Sequence, residues 1–279
     1  VARAMDEDVW KRGTDGGVVT ALLLHLMDSG RIDGAVVTRP VDDYRREPFV
    51  AQSKQDILES AGFYIDTSHG MKNLSDRYLT FSSVEELGPL MRRGLRRVAY
   101  VGTPCQIQSI RKMQALQIVP SEVIHFCLGL FCSGNFVLGE EERRELARIG
   151  DFSWQEVEKI NIKDHFQVHL SQGGMRSIPL DQLDFMKREA CHYCPDYAAE
   201  YADLSFGGIG AEEGWTTVLA RTPVGRAALA DAKGKSLEDG TGDKGSQSAS
   251  HVLERVLDWS MRKKKNAEEN RAGLGNSSA

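Results

Sequence analysis

No stretch of this chain approaches the ~18 consecutive apolar residues of a membrane-spanning helix. Its opening, VARAMDEDVWKRGTDGG, lacks the basic-then-apolar order of a secretion signal. The expectation is therefore a cytoplasmic chain with no membrane span. Excess charge is missing too: a net charge of −5 over 279 residues gives no reason to expect nucleic acid or an anionic membrane as a partner. There is no internal repeat. No G-x-G-x-x-G follows the first expected strand, so the fingerprint of a Rossmann dinucleotide fold is absent. Cysteine is scarce and odd in number, the five being Cys105, Cys127, Cys132, Cys191 and Cys194. In the expected compartment that argues against a disulfide framework and for metal or redox use. The remaining composition, 41% hydrophobic, is that of a globular protein with a sizeable core, in one large domain or two small ones.

The N-terminal region reads as turn, helix, strand. VVTALLLHLMDSG places Val18, Leu22, Leu23, Leu26 and Met27 over a broad apolar helical face ending at Gly30, and GAVVTRP is a β-branched run stopped by Pro40. Just before the helix, Asp15-Gly16-Gly17 leaves free N–H groups that suit a phosphate; alternatively Asp15 caps the helix and the glycines only make the turn. RRVAYVGTPCQIQSIRKMQAL repeats the pattern, with a strand at 98–101, a turn at 102–105 and a helix from Gln106 carrying Ile107, Ile110 and Met113 on one side. Cys105 thus stands where a strand hands over to a helix. Ligands of open α/β sheets gather at such places, and a helix N-terminus favours thiolate. In EVIHFCLGLFCSGNF, position makes Cys127 a buried small hydrophobe and Cys132, at the exit of the run, a ligand candidate.

Further on, residues 139–150 read as a charged surface helix. VEKINIKDHFQVHLSQGGMRSIPL alternates like a hairpin turning at Gln172-Gly173-Gly174, and ADLSFGG and WTTVLART read as two more strands around a glycine turn. The expected domain occupies residues 1–230. Residues 231–250, polar and rich in glycine and serine, are expected to form a flexible connector, and 251–279 a terminal helix and tail. That helix carries Val252, Val256 and Trp259 or Ser260 in one stripe. It either docks on another subunit or packs back on its own domain.

Cys191 and Cys194, two residues apart, can place both sulfurs on one metal, and Cys105 and Cys132 complete a set of four thiolates. Spacing alone leaves zinc and an iron–sulfur cluster both open. Glycine turns at 16–17, 102 and 207–210 could house a second electron carrier, for which a cluster has a use and a structural zinc has none.

TDGGVVTALL, VGTPCQIQSIRKMQ, LFCSGNF, CHYCPDYAAEYADLSFGGIGAEEGWTTVLART and KKKNAEEN stand in the order found in the β subunit of coenzyme F420-reducing hydrogenase. The chain resembles that family, whose module also occurs in F420-linked formate dehydrogenases and dehydrogenases of reduced F420. The resemblance implies an α+β fold of mixed sheets and helices, a flavin-binding iron–sulfur domain of non-Rossmann type. It implies an F420-dependent oxidoreductase subunit that exchanges hydride with F420 through FAD. Single electrons would then pass, via a [4Fe–4S] cluster, to or from a partner hydrogenase, formate dehydrogenase or similar core. Cys105, Cys132, Cys191 and Cys194 match the cluster ligands, and Cys127 falls outside the motifs. Asp15, Gly16, Gly17 and Thr20, the turn residues Gly102 and Thr103, and Gly207, Gly208, Gly210, Trp215, Thr216 and Thr217 match the flavin motifs, Trp215 being alternatively a core aromatic. The resemblance asks for no side-chain general acid or base.

The chain departs from the family in the central hairpin. Members often read Gly-Lys-Phe-Trp-Val-Tyr where this sequence has Asp164-His165-Phe166-Gln167-Val168-His169, one residue shorter just before. His165, Gln167 and His169 are thus candidate F420 contacts, or else positions on a solvated edge. Two other readings remain at this point. One is a reductase of the same family using ferredoxin or another carrier, as in 7-hydroxymethyl chlorophyll a reductase; the other is a zinc-stapled scaffold subunit.

Overall fold

A computed structural model of the chain describes residues 1–40, 46–62, 72–74, 77–79, 86–242 and 248–276. In chain order its elements are β1 (Ala2–Ala4), α1 (Glu7–Arg12), α2 (Val18–Asp28), β2 (Gly34–Pro40), β3 (Arg46–Ala51), α3 (Lys54–Glu59), β4 (Lys72–Leu74), β5 (Arg77–Leu79) and α4 (Leu87–Leu90). Then come β6 (Val98–Gly102), α5 (Pro104–Ala115), β7 (Ile124–Leu130), α6 (Glu140–Gly150), β8 (Val157–Ile162), β9 (His165–Leu170) and β10 (Met175–Pro179). The chain closes with β11 (Leu204–Gly207), β12 (Thr217–Ala220), α7 (Pro223–Ala232), β13 (Leu237–Asp239) and α8 (Ala249–Asn276).

The main sheet has six strands in the order β12-β11-β7-β6-β2-β3. Its four inner strands run parallel and its two edge strands antiparallel. Parallel strands are buried on both faces and so read as continuous apolar runs. Accordingly Ala35, Val36, Val98, Ala99, Tyr100, Cys127 and Leu128 are all fully buried. One face packs against α2 and α7 through Leu22, Leu26, Ala228 and Ala232; the other packs against α5 through Ile107 and Ile110. This mixed α+β architecture is the one expected. The three-stranded sheet β10-β9-β8 forms a separate small core with α6 around Phe166, Val168, Ile178 and Leu146.

Two features of the C-terminal end bear on how it joins the domain. Within residues 231–250, α7 ends at Ala232 and β13 pairs with β1 in the register Ala2↔Asp239 and Ala4↔Leu237. Backbone hydrogen bonding and the burial of Leu237 tie this stretch to the domain, while 243–247 lie outside the described residues. Helix α8 packs back on its own chain: Val256 joins Tyr197, Ala198 and Ile209 in an apolar cluster flanked by Trp259.

Helices α2 and α7 are joined by His25 Nε2 and Asp231 Oδ2 at 2.7 Å, and Lys235 Nζ lies 2.6 Å from the other carboxylate oxygen. Lys235 first, then His25, hold the Asp231 carboxyl down to about 2. A depressed carboxylate stabilises the fold above its ordinary value of about 3.9, and that contribution is lost as pH falls through about 2. Asp231→Asn is therefore expected to flatten the loss of stability between about pH 4 and pH 2, as read from acid unfolding followed by circular dichroism.

Candidate functional site

A cavity of about 310 Å³ opens at the ends of the main-sheet strands. Its lining comes from the turn before α2 (Gly13, Thr14, Asp15, Gly17) and the first turn of α2. The β6–α5 turn adds Thr103, the segment leaving β7 adds Leu130 to Phe136, and Gly207 and Gly208 close the end of β11. Gly17 sits at φ 66° in the left-handed region and opens α2 without a side-chain cap, so the first N–H groups of that helix face the cavity. Arg46 also lines the cavity, a buried cation whose guanidinium donates to the carbonyls of Gly62 (2.9 Å), Thr38 (2.5 Å) and Ser60. An uncapped helix N-terminus suits an anion, and Arg46 adds a positive charge to the same lining.

In the same turn, Asp15 is the junction of three chain segments. Asn161 Nδ2 donates to its carboxylate at 3.0 Å, and Lys163 Nζ lies 3.3 Å away in a largely buried ion pair. Gly208 passes close by; a methyl group there would come within 2.7 Å of Asp15 Oδ2 and 3.0 Å of Lys163 Cε. Gly207 is tighter still, since a methyl group would lie 2.2 Å from Phe131 Cδ2. Gly207→Ala is expected to destabilise the fold by about 1–3 kcal/mol, visible as a lower thermal unfolding midpoint.

Of the four predicted cysteines, Cys132 lines this cavity, and Cys105 and Cys191 meet the lining residues Thr103 and Asn135. Cys105 sits in the first turn of α5, where Pro104 opens the helix and Gln106 Oε1 accepts from Thr103 N at 2.9 Å. Cys132 follows β7 and lines the cavity, with its N–H donating to Tyr197 O at 2.9 Å. Cys191 lies within, and Cys194 directly after, a short 3₁₀ turn over Glu189–Tyr193. Asn135 N donates to Cys191 Sγ at 3.3 Å, and Thr103 Oγ1 lies 3.3 Å from Cys105 Sγ. Burial pushes the Cys132 thiol up to about 12; Lys263 works against it, and Cys191, Cys105 and Cys194 add to it. The structure thus brings the sequence-predicted set together closely enough for each thiol to be felt at Cys132.

Among the described residues, no group of three or more His, Cys, Asp or Glu is assembled as a site for a metal ion. A single zinc needs its sulfurs about 2.3 Å from one point, whereas a four-iron cluster takes one thiolate per iron and spreads them. Four thiolates are a donor set that suits either group, and a cationic centre among them would relieve the cost of ionising Cys132. Cys127 is separate. It is fully buried in β7, with its N–H donating to Asp203 Oδ2 at 2.8 Å and burial pushing its thiol up to about 12.

Of the residues matched to flavin motifs, Asp15, Gly17, Thr20, Thr103, Gly207, Gly208 and Thr216 line the cavity. The others sit behind it or elsewhere. Gly16 N donates to Thr216 Oγ1 at 3.0 Å, Gly102 ends β6, and Thr217 is buried with its hydroxyl donating to Ile209 O at 2.6 Å. Gly210, at φ 83°, admits α8, since a methyl group there would lie 3.1 Å from Val252 Cα. Trp215 packs under Gly240, with the Arg3 guanidinium 4.5 Å from its ring centre, as a structural aromatic. His165, Gln167 and His169 are not in the cavity lining: the alternation of β9 buries Phe166 and Val168 and turns the other three to the opposite face. Lys163, Asn161 and Arg46 occupy the cavity instead, and no local motif in the sequence marks them.

Residues 1–75 match the N-terminal region, and residues 95–239 the C-terminal region, of the family described as coenzyme F420 hydrogenase/dehydrogenase, beta subunit. The coenzyme F420 hydrogenase subunit beta of Methanosarcina barkeri is 32% identical over 230 residues, 80% of this chain and 74% of that one. This chain belongs to the coenzyme F420 hydrogenase/dehydrogenase beta subunit family. Another relative, the coenzyme F420-dependent sulfite reductase of Methanocaldococcus jannaschii, is 30% identical over 227 residues, 76% of this chain and 34% of that protein. A solved structure of the F420-reducing [NiFe] hydrogenase complex from Methanosarcina barkeri contains a chain superposing with a TM-score of 0.82 at 27% identity. The superposition covers 96% of this chain and 89% of that one. The family matches take in Asp15 on one side and all four site cysteines on the other, while α8 lies beyond them. Among the described residues no helix is long and apolar enough to cross a membrane.

Proposed function

We propose that this chain is the flavin and iron–sulfur electron-transfer subunit of an F420-dependent oxidoreductase, working with a hydrogenase, formate dehydrogenase or similar partner. The observation that carries the reading is the shared wall between cavity and cysteines: Cys132, Thr103 and Asn135 line the cavity, with Thr103 Oγ1 3.3 Å from Cys105 Sγ and Asn135 N donating to Cys191 Sγ at 3.3 Å. The names of the relatives support F420 as the hydride carrier. When bound, FAD exchanges hydride with F420 and single electrons with a [4Fe–4S] cluster, and so joins two-electron to one-electron chemistry.

The residues take these roles. The α2 N-terminus and Arg46 would hold the diphosphate of FAD. Phe131, Tyr197 and Phe206 would give the flavin an apolar wall, and the Asp15–Lys163–Asn161 junction a polar one. Cys105, Cys132, Cys191 and Cys194 would ligate the cluster, with Asn135 N–H directed at one sulfur. The chain supplies orientation and a dry cavity, with no side-chain proton donor needed.

One experiment tests the reading: absorption spectroscopy of anaerobically purified protein, followed by oxidation of reduced F420 with an artificial acceptor. Flavin bands with a broad iron–sulfur shoulder and steady turnover are expected. Flavin and iron without F420 turnover would move the assignment to a same-family reductase with another carrier. A colourless, zinc-containing protein would leave a scaffold subunit.

A further inference from the structure

In the basic run Lys263–Lys265 of α8, one lysine points inward. Lys263 Nζ donates to the Cys132 carbonyl at 2.5 Å and to the Asp196 carbonyl at 3.0 Å, while Lys264 and Lys265, which follow it, stay exposed. Two turns further along the same face, Asn270 Nδ2 donates to His192 O at 2.9 Å and Arg271 to Tyr193 O at 2.7 Å. His192 and Tyr193 are the two residues between Cys191 and Cys194. Helix α8 therefore straps together the segment that carries Cys132 and the loop that carries the cysteine pair. Lys263 is the contact shared by both segments and the one that brings a cation under the strap.

We propose that Lys263 is a positioning residue that sets the reduction potential of the cluster, by binding the two cysteine-bearing segments to each other and holding one positive charge beside them. This rests on the reading that the four cysteines hold an iron–sulfur cluster. Reduction adds one electron, hence one negative charge, to the cluster. A cation held at fixed distance and shielded from water favours the reduced form. Asn270 and Arg271 reach the same loop from exposed positions, where water and salt weaken any charge effect. Their part is to hold the loop.

The test is a redox titration of the cluster in the full-length protein, followed by electron paramagnetic resonance, with iron per chain measured on each sample. At the wild-type midpoint, Lys263→Met is expected to lower the ratio of reduced to oxidised cluster about tenfold, a shift of 59 mV to the negative side for one electron. Lys263→Arg is expected to keep the ratio within about twofold, because the charge is restored. The pair Asn270→Ala and Arg271→Ala together should leave the midpoint in place. An iron-replete Lys263→Met protein with the wild-type midpoint overturns the proposal. So does an arginine variant that shifts as far as the methionine one, or a double variant that shifts as far as either. Should Lys263→Met lose its iron, the arginine variant decides: wild-type iron and midpoint support the cation, and loss of iron there overturns it. A wild-type protein without iron would instead remove the underlying functional reading, a result distinct from an iron-loaded protein whose potential ignores Lys263.

Discussion

Serine in place of Cys105 or Cys191 is expected to strip most of the iron from the purified protein, whereas alanine in place of Cys127 leaves the iron content at the wild-type level. The contrast follows from position. The first two cysteines lie on loops and a helix start beside the cavity, where their sulfurs act on Cys132 and accept or share hydrogen bonds with Thr103 and Asn135. Cys127 lies in the middle of β7, paired with Tyr100 of β6, and its backbone exchanges hydrogen bonds with Asp203. Asp203 is itself anchored by Arg111 at 2.9 Å and Thr222 at 2.7 Å, so the strand keeps its place without the thiol. Loss of one small buried side chain should cost about 1 kcal/mol, enough to lower the unfolding midpoint slightly and not enough to unfold the domain. Iron per chain decides the matter, and a Cys127→Ala protein without iron would sink the assignment of ligands.

The same contrast marks how far the sequence could be read. Strands β2, β6, β7, β11 and β12 were legible because each is a short apolar run bounded by glycine, proline or a turn, and Cys105 and Cys132 stand at the boundaries of such runs. Proximity in space between distant segments was not legible. The β1–β13 pair joins Ala2 to Asp239 through strands of three residues, too short to carry a periodic pattern, and β13 lies in a polar stretch that reads as a connector. Lys163 and Asp15 meet across 148 positions of sequence, 163 against 15, and neither position alone announces the ion pair. Glycine raised a different difficulty. Gly208 makes room for the Asp15 junction and Gly210 makes room for α8; both need a missing Cβ, so composition cannot separate a cavity wall from a helix seat. In β9 the alternation marks Phe166 and Val168 as the buried face, whereas the partners that bury them, α6 and β10, were not legible.

Ending the chain after Ser250 is expected to lower the thermal unfolding midpoint by about 10 °C or more and to release the iron. The inner face of α8 buries Val252 and Val256, each worth about 1.5–3 kcal/mol if fully removed from water. Trp259 stacks on Tyr197 with ring centres 5.7 Å apart and donates to Asp164, adding about 0.5–1.5 kcal/mol. Together these come to several kcal/mol out of a total stability of about 5–15 kcal/mol, and for a domain of this size each kcal/mol moves the midpoint by about 2–4 °C. Iron should follow because the truncation also removes Lys263, Asn270 and Arg271 from the carbonyls of the cysteine-bearing segments. The outer face of the same helix supplies the control. Leu257 is half exposed, and Leu257→Ser should change stability by no more than about 0.5 kcal/mol. Differential scanning calorimetry with iron analysis on both proteins separates the cases. A truncated protein that keeps the wild-type midpoint and its iron would show α8 to be an appendage of the domain, present for something outside this chain.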